Sequence, residues 1–247
     1  MSTTTTPPSS RAVTGPPIPT LSYGSGGSFT ISCSARIAAT PRACLDVIVK
    51  SSEYPKWNRF CRKCTIDSQP NPQPQQPQQQ PQQDEEDNLQ LQLGTQFTFD
   101  VHLDPSEPDT TKPGQAVALE VSALEPINDE EDPQEPGHRR KGWRIAWRQR
   151  PSLMMPAWML RSERVQEFVE VAVDGGDGDG DGSGTGTETE YRCWETFYGV
   201  LAPVVRMAAG KQVERGFDAW LEGLKGLAEG GGQTTAASAA ATTAAQG

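Results

Sequence analysis

The run Val213-Glu214-Arg215-Gly216-Phe217-Asp218-Ala219-Trp220-Leu221-Glu222-Gly223-Leu224-Lys225-Gly226-Leu227 decides the fold. Val213, Phe217, Trp220, Leu224 and Leu227 recur at helical spacing and form one apolar stripe about four turns long. Pro203 suits the first turn of this helix. Gly210, Gly216, Gly223 and Gly226 weaken its intrinsic propensity, so it needs a surface beneath it to stay helical.

Upstream lie segments of strand character. Ser28–Ile37 alternates, with Phe29, Ile31, Cys33, Ala35 and Ile37 on one face. Gly94–Leu103 places Phe97, Phe99, Val101 and Leu103 together, and Ala116–Ile127 does the same with Val117, Leu119, Val121 and Ala123. Cys61–Ser68, Lys141–Gln149, Arg164–Val173 and Glu188–Val200 complete the set. Thr40-Pro41 reads as a cap and first turn, predicting a helix to about Lys50. A second short helix or turn covers Tyr54–Phe60. Strands and helices do not alternate after this point, which argues against a doubly wound parallel sheet. The expected fold is α+β, a helix grip: a curved antiparallel sheet of about seven strands around one long C-terminal helix.

The chain has 247 residues, of which 34% are hydrophobic, with 24 glycines and 21 prolines. That is too little apolar content for the whole chain to fold. Residues 1–27 and 229–247 read as disordered tails, and residues 69–88, 129–141 and 174–187 as low-complexity insertions in a domain spanning 28–228. Without these tracts roughly 150 residues remain, near the common domain size. Lys and Arg number 22 against 32 Asp and Glu, a net charge of −10. Such a chain repels nucleic-acid phosphates, and the acidic runs Asp84–Asp87 and Asp129–Asp132 read as solvated loops. No secretory signal or transmembrane run is visible, and the five cysteines read as free thiols of a cytoplasmic chain.

Tyr54-Pro55-x-Trp57-Asn58-x-Phe60 resembles a stretch of the START/Bet v 1-like (SRPBCC) superfamily, polyketide cyclase/dehydrase and lipid-transport branch, with Arg59 in place of the usual proline. Glu163-Arg164-Val165-Gln166-Glu167-Phe168 and Thr189-x-Tyr191-x-Cys193-x-Glu195-x-Phe197-x-Gly199-x-Leu201-x-Pro203 are similar to that family's last two strands. Gly216-Phe217 and Leu224-Lys225 are similar to its C-terminal helix. The resemblance implies that Tyr191, Cys193, Glu195 and Phe197 point inward, with Gln166 and Phe168 beside them. It also implies a cavity between sheet and helix, and puts Gln166 where the family often has a histidine, which removes that residue's acid–base role.

The expected function is binding of a hydrophobic small molecule: a lipid, polyketide or isoprenoid-like compound. The pocket candidates are Trp57, Asn58, Phe99, Trp147, Gln166, Phe168, Tyr191, Glu195, Phe197, Phe217 and Trp220. A second reading is a cyclase, dehydratase or isomerase with Glu195 as acid or base, helped by Tyr191 or Asn58. A third is a protein-interaction module with no ligand, which a filled interior would favour. An ion pair of Glu195 with Arg164 or Arg192 is the structural alternative to catalysis. No cofactor and no metal are expected. Cys61 and Cys64 lack a second pair for zinc and, in an extended strand, should face opposite sides. Asp177-x-Asp179-x-Asp181-Gly182 with Glu188 satisfies the spacing of a calcium loop but is flanked by strands and reads as a hairpin loop. His102 and His138 should be exposed. Leu153-Met154-Met155-Pro156-Ala157-Trp158-Met159-Leu160 reads either as a lid or mouth for an oily ligand or as core.

Overall fold

The computed structural model describes residues 10–70, 90–108, 112–132, 137–172 and 187–244, with side chains up to residue 230. Eight strands form one antiparallel sheet: β1 (Ser10–Gly15), β2 (Phe29–Ile37), β3 (Cys61–Ser68), β4 (Gln96–Val101), β5 (Gln115–Glu131), β6 (Arg139–Gln149), β7 (Arg161–Ala172) and β8 (Thr187–Tyr198). Their order across the sheet is β1-β2-β8-β7-β6-β5-β4-β3. The helices are α1 (Pro41–Val49), α2 (Tyr54–Trp57) and α3 (Ala202–Ala244). The chain crosses from β2 to the far edge at β3 through α1 and α2, then meanders back to β8, and α3 closes the grip against the inner face. This is the α+β helix grip expected. No helix among the described residues is long and apolar enough to cross a membrane.

Local chemistry accounts for the elements. The Thr40 hydroxyl accepts from Ala43 N–H and caps α1, with Pro41 in the first turn. On α3 the buried side is Phe217, Trp220, Leu221, Leu224 and Ala228. Leu227, expected on that stripe, faces out instead, and its neighbour Ala228 takes the buried position, in line with Leu221 and Leu224. Two of the four glycines now have a reason. A Cβ at Gly216 would run into the Phe60 ring, and one at Gly223 into the Trp57 carbonyl, whereas Gly210 and Gly226 face open space. The helix gives up propensity at 216 and 223 so that the α2 segment can lie against it.

The N-terminal segment differs from the tail expected over 1–27. Residues 10–15 pair with β2 as an eighth strand. The outer edge of this strand is satisfied by the helix: Ala12 N–H donates to Asp218 Oδ1 at 2.7 Å, and Thr14 donates through N–H and hydroxyl to Glu214 Oε1 at 3.0 and 2.6 Å. Residues 16–28 then lie over the outer face of the sheet. Ser22 donates to the fully buried Glu163, and the Trp194 indole N–H donates to the Pro19 carbonyl. These partners lie 141 to 206 residues away along the chain, so local composition gave no sign of them.

The charged tract 129–141 is likewise built into the sheet. β5 and β6 continue through it, pairing Glu130 with Arg140 and Glu131 with Arg139. Asp132, expected in a solvated loop, is buried and receives both terminal nitrogens of Arg192 at 3.1 and 3.0 Å. α3 runs through 229 to 244, into the stretch read as a C-terminal tail. Of the other two tracts, residues 71–88 with the acidic run 84–87, and the calcium-like loop up to residue 186, lie outside the described residues, whereas Gln69 bonds to Gln90 and Thr95. Glu188 at its end belongs to β8 and faces Arg36.

Candidate functional site

An apolar cavity of about 310 Å3 lies between the first half of α3 and the inner face of the sheet. The helix contributes Val204, Val205, Ala208, Ala209 and Val213. The sheet contributes Phe99, Val101, Val117, Leu119, Trp147 and Phe197, with Cys61 from β3 and Leu160 from the segment before β7. Side-chain size explains its position. Further along α3, Phe217 and Trp220 fill the grip, with Trp220 touching Tyr54, Trp57, Phe99 and Trp147 at ring-centroid distances of 5.3 to 6.1 Å. Two turns earlier the same side carries alanines, and the space stays open.

One ion pair marks the cavity wall. Arg164 on β7 stands directly opposite Glu195 on β8, and both its Nε and Nη2 lie 3.0 Å from Glu195 Oε2. Oε1 accepts no hydrogen bond among the described residues. The guanidinium lies over the rings of Phe217 at 4.0 Å and Trp220 at 5.2 Å. Burial works against its charge, but Glu195 with Cys193, Cys61 and Tyr191 raises it above the ordinary guanidinium range, so it is always cationic. Gln115, Gln149 and Ser162 supply the other polar groups. The Cys61 thiol is pushed up to about 12 by burial, against the pull of Arg164, and stays protonated at neutral pH.

Four of the expected pocket residues line this cavity: Phe99, Trp147, Glu195 and Phe197. Gln166, Phe168, Tyr191, Phe217 and Trp220 point inward but are packed in the core. The Tyr191 hydroxyl donates to Gln166 Oε1 at 2.7 Å, and burial holds it well above the usual phenol range. It does not reach the cavity as a partner for Glu195. Trp57 and Asn58 line a separate outer groove. Asn58 Oδ1 accepts from the Phe60 and Cys61 amides, a structural role. The helix residues 204–209 were missed because the stripe was read only from Val213 onward. Val205 and Ala209 extend it upstream at the same spacing.

Three other expectations change. Cys61 and Cys64 are both buried, because a bulge between Cys61 and Lys63 breaks the two-residue alternation. His102 is buried rather than exposed: β4 ends at Val101, the His102 amide donates to the Phe60 carbonyl, and its ring meets Asp100 at 2.9 Å. In the 153–160 segment, Leu153 and Met154 are almost wholly exposed and Trp158 largely so. The segment is tied to the start of α3 through Leu201 N–H to the Met159 carbonyl at 2.9 Å. Val204 both lines the cavity and is exposed, which marks the open side. Among the described residues no cluster of potential metal ligands occurs.

Sheet order, gripping helix and the cavity between them make up the helix-grip arrangement expected from the sequence. No protein-family model matches the chain, and the comparison with curated proteins gives no match. Among solved structures, the chain is similar to a START superfamily protein from Mycobacterium smegmatis, with TM-score 0.42 and 16% identity over 81% of this chain and 97% of that one. It is similar to the Zhui aromatase/cyclase from a Streptomyces species, with TM-score 0.45 and 13% identity over 81% and 93% of the two chains. A hypothetical protein from Helicobacter pylori gives TM-score 0.47 and 16% identity over 80% and 86%. These likenesses concern the fold.

Proposed function

We propose that this protein binds a hydrophobic small molecule, of lipid, polyketide or isoprenoid-like character, in the cavity between sheet and α3. The observation that carries this reading is the cavity itself. Its volume of about 310 Å3 reaches the range of small-molecule sites, and its walls are mostly apolar with a few convergent polar groups. Affinity comes from apolar burial, at about 25 cal/mol per Å2. Orientation comes from the free Oε1 of Glu195 and from Gln115, Gln149 and Ser162. The exposed Leu153–Trp158 stretch, tied to the start of α3, serves as an adaptable mouth.

Native mass spectrometry of the protein from its own source, with solvent extraction, tests this. A co-purifying apolar compound is expected. No compound, together with no thermal shift across a lipid and polyketide panel, would overturn the reading.

The second reading is acid–base chemistry on the bound molecule by Glu195, favoured by its place in the cavity wall with one oxygen unengaged. Turnover of a bound polyketide-like compound that survives Glu195→Gln would eliminate it. The cavity speaks against a pure interaction module, which needs no internal space.

A further inference from the structure

A second concavity, of about 690 Å3, lies between α2, the start of β3 and the loop Pro105–Pro108, and shares no lining residue with the apolar cavity. Four cations line it, Lys56, Arg59, Arg62 and Lys63, against two carboxylates, Asp100 and Glu107. Both carboxylates are already engaged. Asp100 accepts from the Gly114 amide at 2.7 Å and meets His102 at 2.9 Å, and Glu107 pairs with Lys112 at 3.1 Å. Lys56 pairs with Glu53 and Arg59 with Glu222, while Lys63 has no carboxylate partner among the described residues.

The buried polar groups point the same way. Asn58 Oδ1 accepts two backbone amides, at 3.0 and 2.8 Å, which fixes the orientation of the side-chain amide. Its Nδ2 is therefore a buried donor, with no acceptor among the described residues, and Trp57 Nε1 is another. Buried donors left unpaired are costly and rare. Both unpaired buried side-chain atoms here are donors, and the lining carries more cations than carboxylates in a chain of net charge −10. That combination selects an acceptor-rich anion.

We infer that this groove binds an organic phosphate. The oxyanion is held by Lys63, Asn58 Nδ2 and the neighbouring guanidinium groups. The organic body lies against Pro55, Trp57 and Pro105, because the volume far exceeds that of an inorganic ion.

Titration calorimetry with phenyl phosphate and with inorganic phosphate tests this. Phenyl phosphate binds the wild type more tightly than inorganic phosphate does. Lys63→Glu, a change at an exposed position whose folding is checked by circular dichroism, weakens it roughly tenfold or more. Asn58→Asp, which keeps the Oδ1 acceptor and removes the donor, weakens it as well. Ala209→Phe, which fills the apolar cavity, leaves it unchanged. No binding of phenyl phosphate, equal affinity for both anions, or Lys63→Glu binding like the wild type would overturn the assignment. Loss of binding in Ala209→Phe would put the probe in the apolar cavity and overturn it equally.

Discussion

Arg164 and Glu195 face each other across β7 and β8, both guanidinium contacts falling on one carboxylate oxygen at 3.0 Å while the other oxygen is left open. The pair is nearly buried, with side-chain exposures of 6% and 14%, and sits where the filled part of the grip gives way to the cavity. It therefore serves structure and site together. Glu195 holds Arg164 against the rings of α3, and Arg164 fixes one oxygen of Glu195 at the cavity wall. Breaking one side strands the other charge in an apolar interior. Arg164→Met should cost about 3 kcal/mol in chemical denaturation, and Arg164→Met with Glu195→Leu should recover most of that loss. If the double variant is no more stable than the single one, the pair is not the source of the cost.

The alanines of α3 are what keep the cavity empty. Ala209→Phe should fill it and abolish binding of the co-purifying apolar compound, read by extraction and mass spectrometry. Circular dichroism and cooperative melting should be retained, because the added ring enters existing space rather than displacing a neighbour. Retained ligand in a folded Ala209→Phe protein would move the binding site elsewhere.

The glycines of α3 divide into two kinds. Gly226 faces open space, so Gly226→Ala should stabilise the protein by up to about 1 kcal/mol through helix propensity. Gly223→Ala should destabilise it instead, since the new methyl meets the Trp57 carbonyl and pushes α2 off the helix. Thermal melts of the two variants should move in opposite directions.

Acid should loosen the N-terminal strand. Burial works against ionisation of Glu214, but hydrogen bonds from Lys211 and Thr14 outweigh it and hold the carboxyl below its usual range. A depressed folded-state value means that its stabilisation is present above the ordinary glutamate range and is lost as pH falls through the folded value. Protection of the Ala12 and Thr14 amides against hydrogen exchange, relative to the intrinsic rate at each pH, should fall in acid, below about pH 4, before the central strands open. Glu214→Gln should raise exchange at neutral pH and flatten this dependence. Protection at both amides that stays constant from neutral pH into acid would rule out the latch.

Much of the fold was legible because its signals are local. Period-two runs such as Phe29–Ile37 and the helical recurrence from Val213 to Leu224 are set by which face each residue must bury. The inward phase of Tyr191, Cys193, Glu195 and Phe197 came from family resemblance and agrees with the register of β8 against β2 and β7. β1 was not legible, since its hydrogen-bond acceptors, Asp218 and Glu214, lie at the other end of the chain. Nor was the bulge that turns both Cys61 and Cys64 inward, or the pairing that buries Asp132 against Arg192.

The sequence by itself determined that an antiparallel sheet would be gripped by one long helix, and its family resemblance implied that Glu195 on the last strand would point inward. Only the tertiary structure decided which inward residues are core and which face a cavity. That distinction depends on the summed volumes of side chains brought together from distant elements. Aromatic residues from α2, β4, β6 and α3 converge and fill one end of the grip, while the alanines of α3 leave the other end open. Volume matching of this kind has no counterpart in the spacing of residues along a chain.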